Sequence, residues 1–252
     1  MTTDLTPRIA IPMPHSGDRE YAERSIPQYE RAVALAGGEA VRIPLDQSPA
    51  DVMRIVEQCD AVLLPGSNAD VDPARFGASR SPHTATADPR RDAVDNLLLE
   101  DAYQHRKPIL GICYGLQSLN VYRKGSLVQH IPDFLPEELR SRVDHEAGKN
   151  VPVAHEVEVL PDSKLAAIVV PRGEKSVVPV NSSHHQSADA IGDGLRITAR
   201  CVEDGIIEAV EGTAHDHFVL AVQWHPERSV DDDEPSRAIF SEFVKSARMR
   251  KK

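Results

Sequence analysis

Residues 107–120, KPILGICYGLQSLN, run from a short apolar segment through a cysteine set between glycines into a helical pattern. Gly111-Ile112-Cys113-Tyr114-Gly115 is the thiol counterpart of the Gly-x-Ser-x-Gly nucleophile elbow, a tight strand-to-helix turn that lifts its central residue above a sheet. Glycines flank such a residue because its backbone is strained and a neighbouring Cβ would strike adjacent chain. At a helix N-terminus the thiolate also meets the positive end of the helix dipole, which lowers its pKa. A buried structural thiol fits the same stretch. Residues elsewhere must decide between the two.

Outward from the elbow, the chain alternates strands and helices. Arg8–Met13, Ala40–Ile43 and Ala61–Leu64 read as strands. Their apolar runs, separated by helices, imply a parallel sheet covered on both faces. A helix is predicted from Ser25, with Pro27 in its first turn and Gly37-Gly38 ending it; others cover Val52–Cys59 and, capped by Asp92, the stretch to His105. After the elbow come a helix over Leu116–Arg123 and an extended Ser126–Gln129. Residues 70–91 and 132–154 lack periodicity, and loops that long usually carry function. The last third changes character. His155–Leu160 and Leu195–Val202 alternate, and with Ser176–Val180, Ile206–Val210 and Phe218–Gln223 they predict antiparallel additions at one edge. A helix over Pro235–Lys251 closes the chain. The expectation is α/β: a mixed, mostly parallel sheet with helices on both faces, one domain over 1–252, with no repeat or linker.

Composition narrows the partners. The 252 residues are 40% hydrophobic and 27% charged, with a net charge of −10. That balance disfavours nucleic acid and anionic membranes, which require a basic footprint. Cys59, Cys113 and Cys201 are widely spaced and form neither a disulfide framework nor a zinc signature. No apolar segment is long enough to span a bilayer and no signal peptide is evident, so the chain reads as cytoplasmic. His184-His185 suggests a metal pair, but adjacent residues in a strand face opposite ways; no metal and no cofactor is expected.

A cysteine nucleophile needs a base, and the base needs an orienting partner. Among 11 histidines, His225 follows the apolar run 218–224, at the strand end where α/β sheets place their sites. Pro226 keeps His225 out of a helix, so His225 and Glu227 can face one side. Glu227 can then hold one ring nitrogen while the other faces a thiol.

Taken together, GICYGLQSLN and VLAVQWHPE resemble the nucleophile and His/Glu motifs of class I glutamine amidotransferases. LLPGSNADVDPARFG at 63–77, ADPRRD at 87–92, VNSSHHQ at 180–186 and DGLRITARCVEDGIIEAVE at 193–211 narrow the resemblance to the γ-glutamyl-γ-aminobutyrate hydrolase (peptidase C26-like) branch. The resemblance spans nearly the whole chain. It implies Cys113 as nucleophile, His225 as base and then acid, and Glu227 as orienter, with an oxyanion hole from the backbone amides of Tyr114 and of Gly66 or Ser67. It also implies a supporting substrate role for Asn181, Ser182 and His184. Gln117, one helical turn after Cys113, can point into the same cleft. Asp88, Arg90, Arg91 and Asp92 suit either the cleft entrance or a helix-capping turn.

The branch often carries Arg where Tyr114 stands, so the aromatic ring is expected to reshape the leaving-group side. The small residues usual before the glycine that follows the elbow are replaced here by Tyr122-Arg123-Lys124-Gly125. The acidic run 231–234 is expected to favour cationic amines if it faces the cleft. The expected activity is hydrolysis of γ-glutamyl amides through a γ-glutamyl thioester. A glutaminase subunit feeding ammonia to a separate synthetase and a non-catalytic binding protein are the alternatives. Expected partners are a small γ-glutamyl molecule, a second copy of the chain, and, under the ammonia-supplying reading, that synthetase.

Overall fold

The computed structural model describes residues 6–171 and 176–250. Lys251, the expected end of the last helix, lies outside them. The first half builds a parallel sheet from β1 (Arg8–Pro12), β2 (Glu39–Ile43), β3 (Ala61–Leu64) and β4 (Ile109–Ile112). Between them run α1 (Arg19–Leu35), α2 (Pro49–Val56) and α3 (Pro89–His105), and α4 (Tyr114–Tyr122) follows β4. A short β5 (Leu127–Val128) and α5 (Ile131–Phe134) lead into the irregular 135–154 segment. The second half holds β6 (His155–Val159), α6 (Lys164–Val169), β7 (Val177–Val180), β8 (Ser187–Ala188), β9 (Leu195–Cys201), β10 (Ile207–Gly212), β11 (Val219–Val222) and α7 (Glu234–Arg250).

Nine strands form one sheet in the order β2-β1-β3-β4-β11-β10-β9-β6-β7. β2 through β11 are parallel, and β10, β9, β6 and β7 extend the sheet in antiparallel pairs. Thus β11, late in sequence, sits in the centre, with Val222 in register with Ile112 of β4. Successive strand residues serve opposite faces. Ile9, Ile11 and Leu63 pack with α1, α6 and α7; Ala10, Val62 and Leu64 pack with α2, α3 and α4. The mixed sheet with helices on both faces is therefore present as expected. Among the described residues, no helix is long and apolar enough to cross a membrane.

Three boundaries differ, each for a local reason. Asp18 caps α1 through the Tyr21 amide, so the helix starts six residues before Ser25 and Pro27 lies inside it. Asp88, not Asp92, caps α3, accepting from the Arg90 and Arg91 amides with Pro89 in the first turn. Helix α6, six residues capped by Ser163, is too short to show a period.

Candidate active site

The elbow forms because β4 stops abruptly. The Cys113 amide still donates to the Val222 carbonyl (2.9 Å), closing the strand, and then the backbone turns to φ 53°, ψ −107°. That left-handed conformation costs a non-glycine residue on the order of 1–3 kcal/mol and persists only where surroundings enforce it. The Cys113 carbonyl already accepts from the Leu116 and Gln117 amides, starting α4. Both flanking glycines are required by space. A Cβ on Gly115 would lie 2.1 Å from the Leu64 carbonyl oxygen, and one on Gly111 2.8 Å from that of Gly115.

His225 follows the neighbouring strand. Its backbone is non-helical, and from Pro226 to Arg228 the chain makes a 3₁₀ turn rather than the extended run expected. That turn brings the Glu227 carboxylate onto the ring, with Nδ1 to Oε1 at 2.7 Å. Cys113, His225 and Glu227 are all buried. Burial alone would depress the His225 pKa; the Glu227 charge, then Cys113, outweigh it and raise it to about 9. Burial likewise favours a neutral Glu227, but His225, then Arg228, hold its carboxyl below the usual range.

Neighbouring residues set this geometry in ways the sequence did not announce. Asn181 Oδ1 accepts the His225 amide (2.9 Å) while its Nδ2 donates to Ser229 Oγ (3.4 Å), so it fixes the base's backbone. Asn181→Ala is expected to lower kcat roughly tenfold, the loss of one buried hydrogen bond, with KM little changed; steady-state kinetics separate the two. Gly66 is glycine because a Cβ there would meet His225 Cε1 at 3.0 Å and Tyr29 Oη at 3.1 Å. Its amide donates to the Tyr29 hydroxyl (3.0 Å) and is already engaged, which narrows the expected Gly66-or-Ser67 choice to Ser67. Tyr29→Phe strands that buried amide, with an expected cost of about 1–3 kcal/mol measured by denaturant unfolding.

Other expected residues sit differently. The Tyr114 ring turns inward, its hydroxyl donating to Asp92 Oδ1 (2.7 Å) under the Arg91 guanidinium, and packs with Val71, Val121 and Leu127. It therefore does not reshape the leaving-group side; its amide, first in α4, has no intrahelical partner. Arg91 is fully buried, ion-paired with Asp95 (2.7 Å) and donating to the Pro14 and Pro65 carbonyls, so it anchors the Pro65-Gly66 loop instead of lining an entrance. Asp88 caps α3 and accepts from Ser16, and Arg90 is exposed. Asp231 pairs with Arg31 and Asp233 caps α7, so the acidic run is not part of the cleft wall.

The cleft beside Cys113 has a volume of about 370 Å³. Gln117 lines it, its amide donating to the Gln186 carbonyl (3.3 Å) and Gln223 Oε1 (3.4 Å). Ser182 is wholly buried beneath the 135–154 segment, its carbonyl accepting from the Gly148 amide. His184 reaches the wall, but its ring nitrogens face the Gln186 carbonyl and Glu208. Charges of both signs border the cleft: Arg24, Lys149 and Arg228 against Asp70 and Glu146. A larger groove beside α7, about 1040 Å³, contains no cysteine.

A strained thiol at a strand end, with a carboxylate-held imidazole from the next strand, is the geometry of a cysteine amidohydrolase. Residues 9–227 match the sequence model of Peptidase C26. The chain belongs to the Peptidase C26 family. As a Peptidase C26 member it is similar to a putative glutamine amidotransferase of Mycobacterium tuberculosis, 42% identical over 207 residues. That match covers 81% of this chain and 62% of the relative, so the chain spans under two thirds of that protein. It is also 33% identical over 242 residues to the γ-glutamyl-γ-aminobutyrate hydrolase PuuD of Escherichia coli, covering 94% of this chain and 92% of that one. In fold, this Peptidase C26 chain resembles the crystal structure of a putative GMP synthase glutaminase-type protein from Thermoplasma acidophilum, with TM-score 0.63, 16% identity, and 96% and 94% of the two chains covered.

Proposed function

We propose that this chain is a cysteine-dependent hydrolase of γ-glutamyl amides. The observation that carries the reading is the 2.7 Å contact from Glu227 to His225 Nδ1 on the strand beside the elbow of Cys113. The Cys113 thiolate attacks the γ-carbonyl carbon, and the oxygen takes the displaced electron pair. The Ser67 and Tyr114 amides stabilise that oxyanion, each donor contributing roughly 3–4 kcal/mol in comparable sites. The intermediate collapses, the C–N bond breaks, and the amine leaves with the proton held by His225 Nε2. Water, deprotonated by His225, then attacks the γ-glutamyl thioester and frees glutamate and the thiol. The mixed charges of the cleft suit the α-amino and α-carboxylate groups of a γ-glutamyl end. Turnover of a γ-glutamyl amide panel, followed by mass spectrometry with Cys113→Ala as control, tests the reading.

The likeness to a putative glutamine amidotransferase favours a second reading, a glutaminase subunit serving a separate synthetase. Glutamine hydrolysis strongly stimulated by a partner protein, with little turnover of other γ-glutamyl amides, would select it.

The raised His225 pKa has a sign that pH can read. An imidazolium beside a thiolate is the competent pair, so kcat/KM is expected to fall on the alkaline side with an apparent pKa near 9. In Glu227→Gln that limb moves down toward the ordinary imidazole value of about 6.5. Stability follows the same linkage. The His225 contribution is complete below about pH 6.5 and is lost as pH rises through about 9. The Glu227 contribution, from a lowered pKa, is present above about 4.5 and lost as pH falls through its folded value. An alkaline limb unmoved by Glu227→Gln would show that another group sets it.

A further inference from the structure

Behind the cleft wall, four side chains distant in sequence converge. His145 comes from the irregular segment, His155 from β6, His184 from the VNSSHHQ stretch and Glu208 from β10. Their side chains are at most 4% exposed. His145 Nδ1, His155 Nε2 and His184 Nε2 lie 3.2, 3.5 and 3.4 Å from the same oxygen, Glu208 Oε1. None of these four atoms makes a hydrogen bond. The outward ring nitrogens are all engaged: His145 Nε2 with Asp204 Oδ2 (2.8 Å), His184 Nδ1 with the Gln186 carbonyl (2.9 Å), and His155 Nδ1 with the Glu156 carbonyl (3.3 Å).

A carbonyl only accepts, so the outward nitrogens of His155 and His184 carry their protons, and Asp204 asks the same of His145. In neutral rings the inward nitrogens then present lone pairs, three of them aimed at one carboxylate oxygen. Acceptors facing acceptors in a dry site demand a cation between them. Protonating one ring serves one contact; a single divalent ion serves all four. The spacing fits, because tetrahedral ligands at about 2.0–2.1 Å from zinc are about 3.3 Å apart. The outer contacts also fit, since metal-binding histidines hand their other N–H to a carboxylate or a carbonyl. Charge closes as well: two positive charges meet Glu208 and Asp204.

We propose that His145, His155, His184 and Glu208 bind one divalent transition-metal ion, zinc by donor type, in a four-coordinate structural site. All four positions are filled by protein, which leaves none for substrate. The ion would tie the segment bearing Glu146 and Lys149, and the stretch bearing His185 and Gln186, to β6 and β10, fixing one wall of the cleft. His185 turns the other way, toward Asp70 (3.2 Å), so the divergence of adjacent histidines holds while His184 finds partners far along the chain. The site corrects the expectation of no metal at this pair.

The test needs no substrate. Full-length protein without a polyhistidine tag, grown with added zinc and gel-filtered, is expected to carry about one zinc per chain by mass spectrometry. A strong zinc chelator should lower its Tm by at least about 5 °C, and zinc should restore it. Cobalt added to the chelated protein should give the visible bands of four-coordinate Co²⁺. Glu208→Gln and His155→Asn should abolish the stoichiometric metal. If either variant fails to fold, the chelation and cobalt measurements on the unmutated chain still decide. Sub-stoichiometric metal before and after zinc or cobalt addition, with Tm unmoved by chelator, would overturn the site and leave protonated histidines around Glu208.

Discussion

Cys113→Ala is expected to reduce γ-glutamyl amide hydrolysis by on the order of 10⁴-fold or more, the scale seen when a nucleophile is removed from a triad. The change keeps the Cβ, so the strained φ of 53° is as costly to Ala as to Cys and the elbow stays. Losing one buried sulfur should alter stability by no more than about 1–2 kcal/mol. Substrate affinity by calorimetry should survive, since the charged cleft wall is untouched. His225→Ala should match the loss, and the double variant should be no worse, because nucleophile and base act as one unit. Turnover that persists in Cys113→Ala would end the covalent mechanism, whatever the substrate.

Gly115→Ala should be the most damaging single methyl in the protein. Its Cβ would sit 2.1 Å from the Leu64 carbonyl oxygen and 2.8 Å from both the Leu64 carbonyl carbon and Cβ. No side chain can rotate away, because the obstacle is the backbone of a central strand. Either α4 lifts from the sheet or β3 shifts against β1 and β4, and both undo buried apolar contacts. A cost upwards of about 4 kcal/mol is expected, a large part of the roughly 5–15 kcal/mol that holds a typical domain together. Denaturant unfolding, or loss of soluble protein, reads it. Gly77→Ala is the control: its φ is also positive, at 70°, but nothing lies within 4 Å of the added methyl. Equal stability for Gly115→Ala and the unmutated chain would mean the elbow can slide.

The sequence announces what local pattern encodes. Ala61–Leu64 is fully apolar because both faces are covered, and the strand appears with those bounds. Gly-x-Cys-x-Gly and the His-Pro-Glu pair are short enough for spacing alone to imply an elbow and a paired base. What needs the folded chain is anything that depends on direction or distance. Tyr114 could be placed beside the nucleophile, but not its ring, whose course is set by Asp92 and Arg91 on another helix. Asn181 is visible as a cleft candidate; that it holds the His225 amide depends on two strand ends meeting. Tyr29 and Arg91 fix the Gly66 loop from elements with no motif in common. The four residues of the proposed metal site are spread from 145 to 208 without a recurring interval. The one visible clue is the His184-His185 pair.

The place of β11 carries a consequence for how the protein comes into being. Among the described strands, it alone joins the parallel half of the sheet at β4 to the antiparallel half at β10. It also leads directly to His225, far along the chain from Cys113. Such long-range pairing is slow to form. During synthesis the cysteine emerges well before its base, as an ordinary thiol. The insertion that zips the two halves together is the same event that arms it. An incomplete or misassembled chain therefore lacks the base that activates its cysteine, and quality control of the fold doubles as control over when the chemistry begins.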